Sequence, residues 1–171
     1  MAERIGENKI IATVQSDQFW RLVKTESASS QKPIWMRIVS ERYADETALL
    51  EKFFYIAHSS KPLRHKSIPG ILDFGTQGNR NYIAMKMFPG LPLGQFVSRD
   101  KPFSEKRALR IVVQIAQALQ YAKLTGTIHG CLTANSVFLN NADQIAVIDF
   151  GAHAFFDHLI HVLNDKSVLT S

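Results

Sequence analysis

"IHGCLTANSVFLNNADQIAVIDFGAH", Ile128 to His153, sets two short runs of strand type, "SVFL" and "QIAVIDF", on either side of the polar turn "NNAD". Apolar runs of this length bounded by Asn and Asp predict a β-hairpin. Its outer ends carry polar clusters: His129, Gly130 and Cys131 at one, Asp149, Phe150 and Gly151 at the other. Two polar clusters held side by side by a hairpin suit a metal and phosphate site, and here Asp149 alone supplies a carboxylate.

Upstream of the hairpin, Ser104 is placed to cap a long helix whose apolar face runs Ala108, Ile111, Val112, Ile115, Leu119 and Ala122, with Gly126 to stop it. Before that helix, "PGLPLG" breaks the pattern and reads as a hinge. Further back come strands "GILDFG" and "NYIAMKMF", then a helix over "ETALLEKFFYIAH". Asp45 is its candidate cap, Leu49, Leu50, Phe53 and Ala57 are its inner face, and "SSKP" ends it. The chain opens on three strands, "KIIATV", "FWRLVKT" and "PIWMRIV", the last two joined by the turn-rich "ESASSQK". The last twenty residues, "AHAFFDHLIHVLNDKSVLTS", read as loop or weak helix.

With 171 residues, 46% of them hydrophobic, the chain can bury one core, either undivided or split between two small lobes. Its net charge of +5 gathers mildly at "KPLRHK" (Lys61 to Lys66) and "RDKPFSEKRALR" (Arg99 to Arg110), which read as solvated basic faces. Aromatic residues are not interleaved with these clusters, so nothing favours nucleic-acid stacking. A single cysteine, Cys131, excludes an intrachain disulfide and fits a reducing compartment. No apolar signal region opens the sequence, and no apolar run nears the roughly 20 residues of a membrane span, so a cytoplasmic location is expected. "DFG" occurs twice, at Asp73 to Gly75 and at Asp149 to Gly151, without repetition of its flanks.

The element order, with "YIAMKMFPGLPL", "ALQYAKLTGTIHGCLTANSVFL" and "IAVIDFG" in sequence, resembles the protein kinase superfamily from about Lys9 to Gly151. The resemblance implies an α+β fold: a small antiparallel β-sheet lobe with one helix over residues 1–87, a hinge at 88–92, and a partial, mainly helical lobe with a β-hairpin over 93–171. It also implies an activation segment and further helices after "DFG", so the chain reads as a fragment or as a short form with an incomplete larger lobe, leaving apolar surface uncovered on the long helix.

Carried over residue by residue, the family's parts are mostly altered. The glycine-rich turn over the phosphates corresponds to "QSDQFW", Gln15 to Trp20, which has no glycine and brings Asp17 toward the phosphate position. In "IWMR", Trp35 and Arg37 stand where the family has the adenine-covering alanine and the phosphate-binding lysine. Residues i and i+2 of a strand share a face, so Trp35 is the expected plug of the adenine pocket if Arg37 points into the cleft. Met85 and Met87 fall on the strand and hinge beside that pocket, and Glu51, or alternatively Glu46, is the helix carboxylate that would pair with Arg37. The catalytic loop aligns on "HGCLTANS": Cys131 replaces the catalytic aspartate, Thr133 the lysine and Ser136 the metal-ligating asparagine, with Asn135 one place away. Asp149 remains as a weak Mg²⁺ ligand. His129, Phe150 and, if Glu51 is the helix carboxylate, Tyr55 would fill the apolar stack that connects the lobes.

Loss of a positioned base typically costs about 10²- to 10⁴-fold in rate. The sequence therefore leads to the expectation of a catalytically inactive, non-enzymatic kinase-like module that binds a protein partner, with no resident cofactor. The alternative is an atypical serine/threonine-type kinase or ATP-binding domain that uses Asp149, with ATP and Mg²⁺, in a rearranged site.

Overall fold

The computed structural model describes residues 3–27, 32–97 and 102–157. The first lobe holds strands β1 (Arg4–Ile5), β2 (Asn8–Ser16), β3 (Trp20–Ser27), β4 (Pro33–Val39), β5 (Ile71–Gln77) and β6 (Arg80–Lys86), with helix α1 (Thr47–Ser60) between β4 and β5. They form one antiparallel sheet in the order β1-β2-β3-β4-β6-β5. Five of these strands fall where the sequence puts them. β1, two residues long, carries no periodic signal and is additional.

Every residue of β4 from Trp35 through Val39 is buried. Trp35 and Val39 join Leu49 and Phe53 of α1 on one face, while Met36 and Ile38 join Ile5, Val23 and Ala84 on the other. A strand covered on both faces shows no apolar alternation, as "PIWMRIV" shows none.

Helix α1 buries Leu49, Phe53, Ile56 and Ala57. Asp45 does not cap it: the helix starts at Thr47 with Glu46 in the cap position and no side-chain cap bond, which leaves the Asp45 carboxylate one residue too early to reach the first free N–H groups.

After β6 the chain crosses through the predicted hinge, where β7 (Leu91–Pro92) pairs with the hairpin strand β8 (Val137–Leu139) and β8 pairs with β9 (Ile145–Val147). Helix α2 (Glu105–Leu124) packs on this second sheet. Ser104 caps it as predicted, its Oγ accepting from the Arg107 N–H at 3.4 Å, and Gly126, at φ +84°, ends it. The buried stripe runs Ile111, Ala118 and Ala122, flanked by Ile115 and Leu119. Val112 was expected in that stripe but is 58% exposed, because it sits about 100° round the helix from Ile111. With Leu109, Val113 and Leu124 it forms exposed apolar surface.

Arg107 Nε and Arg110 Nη2 grip the Asp143 carboxylate at 2.8 and 2.9 Å, and Gln114 donates to the Asp143 carbonyl at 2.8 Å, fixing the hairpin tip to α2. Among the described residues no helix is long and apolar enough to cross a membrane. Beyond "DFG" a helical turn covers 153–157. The rest of the predicted tail, from residue 158, lies outside the described residues, as do 28–31 of the turn-rich gap and 99–101 of the second basic stretch.

Candidate functional site

The cleft between the lobes is built from the end of β2, the turn into β3, the middle of β4 and the two ends of the hairpin. At its centre the Arg37 guanidinium pairs with the Asp149 carboxylate, Nη2 to Oδ2 at 3.0 Å, with side-chain exposures of 3% and 13%. The face of Arg37 lies over the Trp20 ring, 4.6 Å from its centroid, and its Nε is buried without a hydrogen-bond partner. Burial pushes the Asp149 carboxyl above its ordinary range, opposed by Arg37 and His129. Asp149 holds this position with φ at 71°, a left-handed conformation that aspartate tolerates better than most residues.

The pairing predicted for Glu51 is therefore taken by Asp149. Glu51 is exposed on α1, and Glu46 is exposed at its cap position. The physical reason is an aromatic wedge: Phe155 and Phe156, just after "DFG", pack on Trp20 at 4.5 and 5.4 Å, and Phe53 of α1 lies 6.1 Å from Trp20. These rings fill the space through which an α1 carboxylate would reach Arg37. The "FW" and "FF" pairs carry the only signal for this wedge in the sequence, and a lone aromatic pair does not reveal its partner.

Asp17 brings its charge to the cleft as expected: it lines the cavity with Arg37 and Asp149 and adds to the upward push on the Asp149 carboxyl. Its Oδ1 accepts from the N–H groups of Phe19 and Trp20, at 2.8 and 3.0 Å. The carboxylate thus holds a tight turn without glycine and occupies backbone donors of the loop that would otherwise face an anion. One strand earlier, Gln15 Nε2 donates across the cleft to the Asn135 carbonyl at 2.7 Å.

The catalytic-loop positions are close at hand. Arg37, Asp149, Cys131, Thr133 and Ser136 line one cavity of about 320 Å³ with Asn135. Ser136 is turned to its own loop: its Oγ accepts from the Thr133 N–H and donates to the Thr133 carbonyl, both at 2.9 Å. Burial, then the carboxylates of Asp157 and Asp149, push the Cys131 thiol up, so it is protonated at neutral pH. A second cavity of about 300 Å³, lined by Val14, Leu22, Arg37, Pro92 and Gln95, adjoins it on the hinge side.

Trp35 lies in the core, 2% exposed and 4.6 Å from the Phe138 ring of β8, so its indole bridges the two sheets. Met85 is buried beside it in register. Met87, predicted to border the cofactor pocket, instead lines a separate recess behind the hinge, since it stands beyond the end of β6.

His129 and Phe150 stack at 5.0 Å as predicted, but Tyr55 is 48% exposed and does not complete the set. Further along α1, Ser60 Oγ donates to the Phe150 carbonyl at 3.3 Å. His129 Nε2–H donates to the Ile148 carbonyl at 2.8 Å, and Nδ1 accepts from the Cys131 N–H at 3.4 Å. Burial lowers its pKa and keeps the ring neutral. Because the unfolded chain then binds the proton first, stability falls as pH drops below about 6.5 and is flat above it. Asp149, raised by burial, has the opposite sign: its contribution is lost as pH rises above the ordinary carboxylate range. Urea melts from pH 7.5 to 5.5 should show a shallower decline for His129→Gln than for the wild type; parallel declines would mean that His129 titrates normally.

Among the described residues no group of three or more His, Cys, Asp or Glu side chains is placed to hold a metal ion. Asp149 and Asp17 are the two carboxylates that line the cavity beside Arg37.

The family model for protein tyrosine and serine/threonine kinases matches residues 9–162. Among curated proteins, the chain is 24% identical over 146 residues to the serine/threonine-protein kinase PrkC of Bacillus subtilis, covering 85% of this chain and 22% of that protein. It is 24% identical over 156 residues to the serine/threonine-protein kinase PknA of Mycobacterium tuberculosis, covering 88% of this chain and 36% of that one. The chain therefore spans between about a fifth and about a third of the length of these relatives. Among solved structures, the PknI kinase domain of Mycobacterium tuberculosis superposes with a TM-score of 0.70 at 18% identity, over 88% of this chain and 62% of that one. The fold is the kinase fold that the sequence predicts. The expectation of a non-enzyme does not stand: the relatives are named as protein kinases, and the matched family is one of kinases. By the match over residues 9–162, this chain belongs to the protein tyrosine and serine/threonine kinase family.

Proposed function

We propose that the chain is the nucleotide-binding part of an atypical serine/threonine-type protein kinase, with Arg37 as the phosphate-binding cation and Asp149 as the metal-binding carboxylate of a rearranged site. The observation that carries this reading is the Arg37–Asp149 pair in the cleft, together with the partnerless buried Nε of Arg37, a donor directed at no protein group. A nucleotide with Mg²⁺ fits this donor set: the guanidinium would hold phosphate oxygens, Asp149 would hold the metal, and the metal would neutralise phosphate charge. The cavity of about 300 Å³ between Val14, Leu22 and Pro92 is at the lower end of the range for ligand pockets and offers the base a place outside Trp35.

Phosphoryl transfer depends mostly on positioning and charge neutralisation, so a protonated thiol at Cys131 implies transfer slower by about 10²- to 10⁴-fold than with a positioned base. Membership of the kinase family and the names of the relatives support the same reading.

The test is a thermal melt of the chain with millimolar ATP and Mg²⁺, with labelled-phosphate transfer to a serine-rich acceptor protein measured on the same sample. Nucleotide at 100 times its dissociation constant adds about 2.7 kcal/mol, so the melting temperature should rise by several degrees, with slow, Mg²⁺-dependent transfer. No shift and no transfer at millimolar nucleotide would reject the proposal.

A further inference from the structure

The basic run "KPLRHK" is not used by the cleft. It folds into the connection between α1 and β5, on the far side of the hinge, and borders a recess of about 450 Å³. The floor is apolar: Leu63 and Ile68 are buried, and Met87 and the hinge residue Phe88 are half-buried. The wall carries the exposed side chains of Arg64, Lys66 and Lys86, and no acidic residue lines it among the described residues. Ion pairs among the described residues use Arg21, Arg37, Arg80, Arg107 and Arg110, not these three cations. Among the described residues no carboxylate pairs with these cations, although Arg64 Nη1 donates to the Lys61 and Leu63 carbonyls.

A ring stack and hydrogen bonds also brace the recess. The His65 ring stacks on Tyr121 of α2 at 5.3 Å, and the Tyr121 hydroxyl accepts from the Arg64 N–H at 2.9 Å. His65 Nδ1 accepts from the Ser67 N–H at 3.1 Å, and the Ser67 carbonyl accepts from the Val147 N–H at 2.8 Å. A pre-organised concave site loses less on binding than a mobile one.

We propose that this recess is a docking site for an acidic peptide segment with one aliphatic anchor. The anchor enters between Ile68, Met87 and Phe88, and carboxylates on either side of it pair with Arg64, Lys66 and Lys86. Charge complementarity selects an acidic partner, and the apolar floor selects a peptide over a nucleic acid, which would need exposed aromatic faces along a charged groove. The site lies apart from the cleft, so the proposal holds whether or not the nucleotide reading does. Because Phe88 belongs to the hinge and Met87 leads into it, an occupant would touch the segment that joins the lobes.

The experiment is fluorescence anisotropy of a labelled Asp-Glu-Leu-Asp-Glu peptide titrated with the whole 171-residue chain at low salt. Saturable binding is expected, weakened about tenfold in Lys66→Glu/Lys86→Glu, both at exposed positions. A similar loss is expected when the peptide leucine is replaced by glycine. The control Lys9→Glu/Lys123→Glu, equal in net charge and also exposed, should bind as the wild type does. Thermal melts verify that all variants fold. Equal weakening by the control would overturn the proposal as general charge attraction. Tighter, competing binding of an oligothymidylate would overturn it in favour of nucleic acid, and no saturable binding at millimolar chain would overturn it outright.

Discussion

Asp149→Ala should lower the folding free energy by about 3 kcal/mol or more, measured as a shift of the urea midpoint at pH 7.5. The cost does not arise because the Arg37–Asp149 pair is strongly stabilising. Burial already pushes the Asp149 carboxyl upward, so solvation lost by the charged form outweighs what Arg37 returns. The cost arises because Arg37, with a side chain 3% exposed, is left as a buried cation without a counter-ion. Trp20 softens the loss, since its ring face remains against the guanidinium at 4.6 Å. Alanine adds a second penalty of about 1 kcal/mol, because φ at 71° disfavours it more than aspartate or asparagine. Asp149→Asn should therefore be milder than Asp149→Ala. The double variant Arg37→Met/Asp149→Asn should recover most of the loss, giving a coupling of about 1.5 kcal/mol or more in a double-mutant cycle. If Asp149→Asn alone melts with the wild type, the pair at the centre of the site is not formed in solution, and the functional proposal that rests on it fails as well.

What the sequence made legible follows from which interactions are local. Ser104 and Gly126 bracket α2 because a cap and a left-handed stop act within a single turn. The hairpin reads from "NNAD" because Asn140 satisfies its own loop, its Oδ1 accepting from the N–H groups of Ala142 and Gln144. The element order then carries the fold. Placement inside the cleft depends on contacts made over long sequence separations. Arg37 chooses Asp149 over Glu51 because Trp20, Phe155 and Phe156 meet in space, and nothing in the sequence near Glu51 records that. Asp17 shows the same limit: its charge reaches the cavity as its identity suggests, but its acceptance from two turn amides depends on geometry. At Cys131 and Ser136, residue identity alone leads to a conclusion about enzymatic status that the family match overturns.

Trp35→Ala should cost about 4 kcal/mol in folding free energy, since the indole is 2% exposed and truncation leaves a cavity between the sheets beside Phe138. For a chain of this size that corresponds to a drop of about 10 °C in melting temperature. The same truncation should strengthen nucleotide binding. On the nucleotide proposal, the base of the wild type would be confined to the outer cavity near Val14, Leu22 and Pro92, while the indole fills the space beneath β4 that the family resemblance assigns to adenine. Emptying that space allows the base to move inward against Phe138 and Met85 and bury more of its apolar surface. The signature is thus a destabilised variant whose melting temperature rises more with ATP and Mg²⁺ than that of the wild type. Equal shifts in both proteins would mean that the base never approaches the Trp35 position, and would fix the outer cavity as its site. A Trp35→Ala chain that melts with the wild type would instead remove Trp35 from the core, and with it the reason for placing the base outside.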